Sequence, residues 1–495
     1  MKERGRNRQD MAIAASLFVL TVLSRIPFRT TMLYSWDSIL YARAMNHFDV
    51  AVQQPQPPGY IFYVGLISLV HKLVPDENAA IVWVSVFASA AASAALFWLG
   101  RMMYGRRVGL MAALFLITSL SFWVQSEVAL PYTLLGFLGI ASAAVVYKTW
   151  QGDVRYVIPA AAVLGLASGF RQDLLFFLLP IFVAGLVGKP RSRVLLAVLA
   201  LAAGVLSWYL PTVMFSGGFS AYRAAAALQS NYVVGNASFL GKDGLLAVFE
   251  NLNFMARFFF WATAGALPLV GVVMFRFLSP RFRPPADKRV MFLAAWALPS
   301  MIVYIFIHIG EPGYVFSFLP AVLLLAVWGV DDWLKRVVLR LEHVQGLRIF
   351  VYAPLALVVC NLALFLFISP RMSAASLARR DAVLISEIAS IRERFDPAST
   401  LIVAVYDERH VSYYLPEYPR VKLDPMVKEN VNASLDPQIK QVVIFDDYLE
   451  SAAAQTKERL TLGAGQSLVY ISRAPGQKQV TLDWNNRTVA LVRGG

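Results

Sequence analysis

Long apolar runs constrain the fold of this chain more than any other feature. From Met11 to Ile368 the sequence repeatedly contains apolar stretches close to the ~20 residues that an α-helix needs to cross a bilayer. Hydrophobic residues make up 58% of the 495 residues and charged residues only 15%, whereas about a quarter of a soluble domain is charged. The sequence therefore predicts an α-helical polytopic membrane protein and excludes a water-soluble one.

The spacing of these runs predicts about eleven transmembrane helices. The predicted spans are 11–29, 79–100, 107–125, 128–148, 157–170, 172–187, 194–215, 253–278, 290–308, 314–330 and 349–369. The spans 157–170 and 172–187 form a predicted hairpin whose turn, Ser168–Asp173, places charged residues at membrane depth. Pro58–Val74 is predicted to be a juxtamembrane helix that starts at Pro57-Pro58, because a span there would move the basic loop after 100 to the outside.

Basic residues are distributed unequally between the two sets of loops. The loops on the side of the N-terminus carry 21 Lys and Arg residues, and the short loops on the other side carry 5. Because basic loops stay in the cytoplasm, we expect a cytoplasmic N-terminus, with the first outer loop 30–78 and the C-terminus outside. The net charge of +14 thus reflects membrane orientation and indicates no nucleic-acid partner.

The sequence changes character after Pro370. Apolar residues at helical spacing predict an amphipathic linker helix at 371–395, and Thr400–Tyr406 and Gln441–Phe445 are predicted strands. Val480–Val492 is predicted to be a hairpin that turns near Asn485-Asn486. We therefore expect a transmembrane domain at 1–370, a linker helix at 371–395 and a small soluble α/β domain at 396–495. This domain is expected to cover the outer cavity or recognise an acceptor, while its charged loops, Asp407–His410 and Asp446-Asp447, are typical of solvated surface.

Several motifs resemble one family of membrane enzymes. Asp37 lies in the first outer loop with Tyr41 four residues later. Four further stretches complete the pattern: Gln56–Tyr63, Ser126–Tyr132, Gly165–Leu175 and Gly310–Pro320. Together they resemble the GT-C glycosyltransferase superfamily, in particular protein O-mannosyltransferase-like and aminoarabinose-transferase-like bacterial proteins, over about residues 10 to 330.

The resemblance implies a GT-C-like enzyme of the bacterial inner membrane with a periplasmic C-terminal domain. Such an enzyme takes a sugar from a polyprenyl-phosphate carrier and transfers it to a glycan, lipid or protein acceptor. Its transmembrane helices contact membrane lipid. Inverting transfer needs a carboxylate that accepts the proton of the acceptor hydroxyl, and Asp37 is the candidate base. The family pattern implies a second acidic residue, matched by Glu127, and often an adjacent acid in the first loop, whereas Ser38 follows Asp37 here.

The phosphate of the carrier, which leaves as the sugar is transferred, also needs a cationic partner, and Arg171 is the candidate for it. The full set of candidate substrate-binding residues is Tyr41, Pro57, Pro58, Tyr60, Arg171, Gln172, Asp173, His308, Glu311 and Tyr314. No spacing defines a metal site, although some GT-C enzymes use a divalent cation, so the metal stays open.

Structural alternatives exist for each of these candidates. Asp37 could cap a helix, and Glu127 could be an interfacial residue near the start of a span. Arg171 and Asp173 could form an ion pair that pins the hairpin. His308 and Glu311 flank a turn and could be structural.

Two other functions fit a polytopic chain with buried charge. One is a lipid-linked-sugar transporter or flippase, for which repeat symmetry and interrupted helices in two matching halves are typical. The other is a non-catalytic receptor that uses the C-terminal domain. The sequence contains no internal repeat and one interrupted region, so it favours the transferase.

Overall fold

Apolar helices of bilayer length dominate the computed structural model of the protein, which describes residues 2–278, 287–341, 344–404, 408–423, 433–434, 438–445, 460–461, 465–472, 483–484, 487–488 and 490–493. The chain divides into two compact units. The membrane unit contains Met1–Thr30 and Leu40–Leu377, and the C-terminal unit contains Thr31–Ile39 and Ala378–Gly495. The segment that precedes and includes Asp37 is thus grouped with the last part of the chain.

Helices make up the membrane unit. They are α1 (Lys2–Arg25), α2 (Trp36–Asn46, which begins in the C-terminal unit), α3 (Ile61–His71), α4 (Glu77–Tyr104), α5 (Arg106–Thr118), α6 (Leu120–Gln125), α7 (Tyr132–Trp150), α8 (Val157–Ala167), α9 (Asp173–Leu186), α10 (Arg191–Phe215), α11 (Phe219–Ala237), α12 (Leu245–Thr263), α13 (Leu267–Leu278), α14 (Lys288–Phe306), α15 (Leu319–Leu341) and α16 (Val344–Ala363). A π-helical turn at Leu364–Ile368 continues α16.

Among the described helices, six segments are long and apolar enough to cross a membrane. They are Asn7–Phe28, Glu77–Tyr104, Tyr132–Trp150, Arg191–Phe215, Leu245–Leu278 and Lys288–Phe306. Shorter apolar helices follow at Ile61–His71, Val154–Ala167, Asp173–Leu186 and Pro354–Ile368. The prediction of an α-helical polytopic membrane protein is therefore confirmed, and the hairpin around Ser168–Asp173 appears as α8 and α9.

The structure corrects the predicted elements in three places. The predicted span 107–125 is broken at Ser119, whose hydroxyl donates to the carbonyl of Ala262 at 2.7 Å. The span predicted to start at 253 begins at Leu245 and is interrupted by a 3₁₀ turn at Ala264–Ala266. Helix α11 replaces part of a predicted loop, because its alanine-rich sequence favours a helix without the apolar length that marks a span.

Loops predicted to share one side of the membrane contact each other within the membrane unit. On the predicted cytoplasmic side, Arg106 pairs with Asp10 at 2.7 Å and Arg289 donates to the carbonyl of Met103 at 2.7 Å. On the opposite side, the amide of Phe62 donates to the carbonyl of Gly169 at 3.2 Å. Each of these three contacts joins segments that the sequence places on the same side of the membrane.

Helices α8 and α10 approach closely through two glycines. A Cβ atom at Gly204 would lie 2.9 Å from the Cα of Gly165, and one at Gly165 would lie 2.8 Å from the carbonyl oxygen of Leu201. These neighbours are backbone atoms, which cannot rotate away. Glycine at both positions thus lets the two helices pack backbone to backbone, as small residues do in membrane helix pairs.

The C-terminal unit is built on a parallel sheet. Its strand order is β2-β1-β4-β6-β9, and every neighbouring pair is parallel. The strands are β1 (Thr400–Ala404), β2 (Arg420–Lys422), β3 (Ala433–Ser434), β4 (Gln441–Ile444), β5 (Leu460–Thr461), β6 (Ser467–Ser472), β7 (Asp483–Trp484), β8 (Arg487–Thr488) and β9 (Ala490–Arg493). The expected small α/β fold is confirmed, with the linker helix present as α17 (Ala374–Arg394).

Apolar packing joins α17 to this sheet. Leu384, Ile388 and Ile391 of α17 form a buried cluster with Ile402 of β1 and Val443 of β4. A further helix, α18 (Glu408–Tyr414), follows β1. The predicted hairpin is only partly present, since β7 and β8 pair antiparallel while β9 pairs with β6. Asp407 and Asp446-Asp447 lie outside the described residues.

We expect Gly204→Ala to destabilise the membrane unit. The new methyl group would push apart the backbones of α8 and α10, at a cost of about 1–3 kcal/mol. Thermal unfolding in detergent, followed by tryptophan fluorescence, measures the effect. Gly271→Ala in α13 is the matched control, since nothing lies within 4 Å of a Cβ there. Equal stability of the two variants would contradict the close-packing interpretation.

Candidate active site

Arg171 is a buried cation in the turn between α8 and α9. Its Nη2 lies 2.8 Å from Oδ2 of Asp173, and its Nε lies 3.2 Å from Oδ1. The Arg171 side chain is only 7% exposed. A guanidinium at this depth must be paired, because its desolvation is costly. The predicted ion pair is therefore present, and any ligand role of Arg171 has to be compatible with it.

Three tyrosine rings surround the Arg171 guanidinium. Its central carbon lies 5.5, 5.1 and 5.4 Å from the ring centroids of Tyr60, Tyr132 and Tyr314, within cation–π range. The rings of Tyr132 and Tyr314 are themselves 5.5 Å apart. We call these three side chains the tyrosine cage. They come from segments far apart in the sequence, so the cage is a product of the tertiary fold.

Local backbone features place two of the cage rings. Gly59 and Tyr60 both have positive φ angles, 110° and 47°, so the chain turns sharply before α3. A left-handed conformation is uncommon for tyrosine and often accompanies a functional constraint. At the other end, a Cβ at Gly313 would lie only 2.1 Å from the Tyr132 ring. Glycine at position 313 thus leaves room for that ring beside Arg171.

Further aromatic side chains extend the cage. Tyr41 lies 4.9 Å from Tyr63 and 5.8 Å from Tyr60 between ring centroids. On the other side, Tyr304 lies 5.3 Å and His308 6.3 Å from Tyr314. The structure therefore brings together six predicted residues, namely Tyr41, Tyr60, Arg171, Asp173, His308 and Tyr314.

Sequence reasoning missed three members of this cluster, Tyr63, Tyr132 and Tyr304. Tyr63 and Tyr132 end the two motifs Gln56–Tyr63 and Ser126–Tyr132, and that position could have marked them. Tyr304 lies inside an apolar span without any local signal. Its ring reaches the cluster only because α14 packs beside α9, where Phe177 contacts it at 5.3 Å.

Buried polar atoms at the cluster have no hydrogen-bond partner within the described part of the chain. Gln172 is 8% exposed, and neither its amide oxygen nor its amide nitrogen is bonded. The hydroxyl of the fully buried Tyr63 is in the same situation. An unsatisfied buried polar group typically costs about 1–3 kcal/mol. The arrangement therefore favours a polar ligand that offers several hydroxyl or oxygen atoms.

His308 and Glu311 occupy the turn that precedes Tyr314. Burial lowers the pKa of His308 below its usual value, so the ring is neutral at pH 7 and can both donate and accept hydrogen bonds. The carbonyl of Glu311 accepts from the amide of Tyr314 at 3.1 Å and opens the 3₁₀ turn Pro312–Ser317. These contacts give the turn a structural role in placing Tyr314.

The two predicted prolines lie before the sharp turn at Gly59. Pro57 is buried, and the carbonyl of Pro58 accepts from the hydroxyl of Tyr222 in α11 at 3.3 Å. Helix α11 therefore supports the segment that carries Tyr60. The structure gives Pro57 and Pro58 a role in backbone geometry, and a substrate contact for them remains a prediction.

Glu127 belongs to a different buried cluster. Its Oε1 accepts from Nε1 of Trp123 at 2.6 Å, and Trp123 also stacks under the guanidinium of Arg25 at 4.1 Å. Arg25 is fully buried and donates to Ser126 at 3.0 Å. The positive charge of Arg25 attracts the negative charge of Glu127. These contacts favour a structural role for Glu127 other than the interfacial one considered above: it is buried and compensates the charge of Arg25 at the end of α1.

Asp37 lies in the first turn of α2, in the C-terminal unit. The carbonyl of Ser35 accepts the first helical hydrogen bond, from Ile39, and Ser38 Oγ accepts from the amide of Ser35 at 3.2 Å. Ser35 therefore stands at the N-cap position, and Ser38 bonds back to it as the third residue of a capping box does. Tyr41 of the membrane unit follows Asp37 by about one turn of the same helix.

Metal ligands do not cluster in the part of the chain that the structure describes. No group of three or more His, Cys, Asp or Glu side chains there could hold a metal ion. We assign no metal site.

Comparison with solved structures identifies the fold. The structure matches ArnT from Cupriavidus metallidurans bound to undecaprenyl phosphate with a TM-score of 0.53 and 14% sequence identity, over 93% of this chain and 92% of that one. It also matches an Archaeoglobus fulgidus oligosaccharyltransferase in complex with Zn and sulfate, with a TM-score of 0.42 and 16% identity, over 90% of this chain and 62% of that one. No family model and no curated protein sequence matches the chain. The chain therefore shares the fold of ArnT over nearly its whole length.

We expect Glu127→Gln to destabilise the protein. The amide keeps an acceptor for Trp123 but leaves the buried Arg25 without its charge partner, and breaking a buried pair costs about 3–5 kcal/mol. Thermal unfolding in detergent measures the loss. A double variant, Arg25→Gln with Glu127→Gln, should recover part of it, because no unpaired charge remains. Additive losses, or a fully stable Glu127→Gln protein without activity, would instead favour a catalytic role.

Proposed function

We propose that this chain is a membrane glycosyltransferase that moves a sugar from a polyprenyl-phosphate carrier to an acceptor hydroxyl at the outer face of a bacterial inner membrane. The GT-C fold shared with ArnT supports a transferase that uses a lipid-phosphate-linked sugar. The observation that carries the proposal is the buried Arg171 in its tyrosine cage, next to the side-chain amide of Gln172, which has no hydrogen-bond partner among the described residues. These groups suit the sugar-phosphate head of such a donor.

Each side chain of the cluster has a defined task in this proposal. Arg171, held in place by Asp173, donates to a phosphate oxygen and stabilises the negative charge that grows there as the sugar leaves. The tyrosine cage holds the guanidinium in place through cation–π contacts. Gln172 and Tyr63 supply hydrogen bonds to sugar hydroxyls and so satisfy their own buried polar atoms.

Asp37 acts as the base in the proposed reaction. Its carboxylate takes the proton of the acceptor hydroxyl while the acceptor oxygen bonds to the anomeric carbon. The bond between that carbon and the phosphate oxygen breaks, and the carrier leaves as polyprenyl phosphate. A single displacement inverts the anomeric configuration. The acceptor itself, whether glycan, lipid or protein, stays open.

Removal of Arg171 should abolish transfer in the folded protein. Arg171→Ala is expected to lower turnover by about 10²–10³-fold, the usual effect of losing one donor to developing charge. Arg171→Lys should recover part, because lysine keeps the charge but loses the planar fork. The assay, in detergent, is release of undecaprenyl phosphate from undecaprenyl-phosphate-linked hexoses and pentoses, with cell-envelope lipid extract as acceptor.

Arg276→Ala is the matched control for this prediction. Arg276 pairs with Asp332 at 2.9 Å, and the two side chains are 4% and 24% exposed, against 2.8 Å, 7% and 23% for Arg171 and Asp173. Both variants should lose similar stability, about 3–5 kcal/mol, but only Arg171→Ala should lose turnover per folded molecule. Equal turnover in the two variants would reduce the Arg171 pair to a structural clamp. Lipid translocation by vesicles without any transfer in detergent would indicate a flippase.

Asp37→Asn should leave a folded protein without transferase activity. Loss of the proton acceptor typically costs 10²–10⁴-fold in rate, and Asn has nearly the same volume as Asp. The control is Asp76→Asn, where the carboxylate caps α4 by accepting from the amide of Ala79 at 2.7 Å. Asn is an equally good cap, so this variant should keep full activity. Similar activity in both variants would remove Asp37 from the mechanism.

Orientation in the membrane can be measured directly. Reporter fusions after Gly105 and after Val187 should report the cytoplasm, because the loops on that side carry most of the basic residues. A fusion after Gly495 should report the outside. A C-terminal reporter in the cytoplasm would place Asp37 on the wrong side for a periplasmic reaction.

A further inference from the structure

Within the C-terminal unit, side chains of α17 and α18 form hydrogen bonds to the backbone of Thr31–Trp36, the segment that leads to Asp37. The amide and hydroxyl of Thr31 both donate to Oδ2 of Asp381, at 2.5 and 3.0 Å. The amide of Leu33 donates to the hydroxyl of Tyr414 at 2.8 Å, and its carbonyl lies 3.1 Å from Nε2 of His410. Both polar groups of the Leu33 backbone are therefore bonded to α18, and its side chain is buried.

Cations of the same unit hold the two aromatic side chains of the segment. The guanidinium of Arg409 lies 4.1 Å and the ammonium of Lys422 4.8 Å from the ring of Trp36. The guanidinium of Arg380 lies 4.6 Å from the Tyr34 ring and also donates to the Tyr34 carbonyl at 2.5 Å. Cation–π contacts of this kind fix the orientation of a ring as well as its position.

The two cations beside Trp36 follow neighbouring strands of the parallel sheet. Arg409 belongs to α18, which follows β1, and Lys422 is the last residue of β2. In open parallel sheets, ligands bind at the carboxyl ends of the strands. Here two residues from those strand ends contact Trp36 of the same chain.

We infer that the C-terminal unit positions Asp37 through Trp36, whose ring is in contact with both Arg409 and Lys422. This inference rests on the proposed function, in which Asp37 is the base. Trp36 is the first residue of α2 and Asp37 is the second, so fixing the indole fixes the start of the helix that carries the carboxylate. Arg409 and Lys422 are positioning residues that touch neither substrate nor reacting atoms in this scheme.

Positioning has a kinetic consequence distinct from substrate binding. A general base must lie within hydrogen-bond reach of the proton that it removes, and a displacement of about 1 Å can cost 10²-fold in rate. Loss of the cation–π contacts that hold Trp36 should therefore lower kcat and leave the KM for the lipid donor nearly unchanged. A domain that instead recognises the acceptor would change the KM for the acceptor.

The test compares two substitutions of Trp36 and two of Arg409. Trp36→Leu removes both cation–π contacts and Arg409→Met removes the shorter of the two, while Trp36→Phe and Arg409→Lys retain both kinds of contact. We expect the first pair to lower kcat by about 10- to 100-fold, with the donor KM within a factor of about two, and the conservative pair to recover most of the loss. Arg420→Met is the control, since Arg420 lies in the same unit and pairs with Glu408 at 3.3 Å, and no hydrogen bond, ion pair or ring contact joins Arg420 to Thr31–Trp36 within the described residues.

Hydrogen–deuterium exchange gives a readout that does not depend on activity. The amides of Thr31 and Leu33 should be protected in the wild-type protein and exchange faster in Trp36→Leu and Arg409→Met, but not in Arg420→Met. Thermal unfolding of all variants controls for global loss of structure. Protection that is unchanged in every variant would overturn the inference, as would equal kcat in Trp36→Leu and Trp36→Phe.

Failure of the inference and failure of the proposed function give different results. If the wild-type protein releases no undecaprenyl phosphate from any donor, the proposed function fails, whereas the seating of the segment is still decided by exchange. If the wild type is active and only the acceptor KM rises in Arg409→Met, the domain recognises the acceptor and the positioning inference is overturned.

Discussion

A buried guanidinium is the constraint on which the candidate site in the membrane unit depends. Taking a cation such as Arg171 out of water costs several kcal/mol, and the cost is offset only by well-placed partners. Asp173 supplies the opposite charge from two residues away, and three tyrosine faces surround what remains. The left-handed backbone at Tyr60 and the glycine at position 313 are the local features that let the rings of Tyr60 and Tyr132 reach Arg171.

How much of this site the sequence can predict depends on how local each contact is. The charged turn Ser168–Asp173 follows from the length of the apolar run and the basic flanks, and the helices confirm it. Tyr41, Tyr60 and Tyr314 could be proposed because they belong to recognisable motifs. Their arrangement around Arg171 could not, because it depends on helix packing across long sequence separations. Tyr304 could not be predicted as a member of the site, since the residues around it in the sequence resemble those of any other apolar span.

Glu127 and Asp37 show why residue type alone does not assign a role. Both are acidic residues near helix ends, and both allowed a structural and a catalytic interpretation. For Glu127, the decisive partner is Arg25, which lies about a hundred residues earlier and gives no local signal at position 127. For Asp37, the exact start of α2 matters, because it places Ser35 at the N-cap position and lets Ser38 bond back to it. Long-range charge compensation and exact helix boundaries are the two facts that a single sequence does not contain.

Three buried cations in the membrane unit have different surroundings. Arg25 lies over the ring of Trp123, whose indole nitrogen donates to Glu127. Arg276 donates to the carbonyl of Gly329 as well as to Asp332. Beside the Arg171 pair, the side-chain amide of Gln172 and the hydroxyl of Tyr63 are buried and have no bond within the described residues, and Oε2 of Glu127 has none either. Each buried polar group left unbonded lowers stability. The Arg171 pair is set apart by the combination of these two polar side chains with the tyrosine cage, and this combination is the physical reason to look for the sugar donor at Arg171.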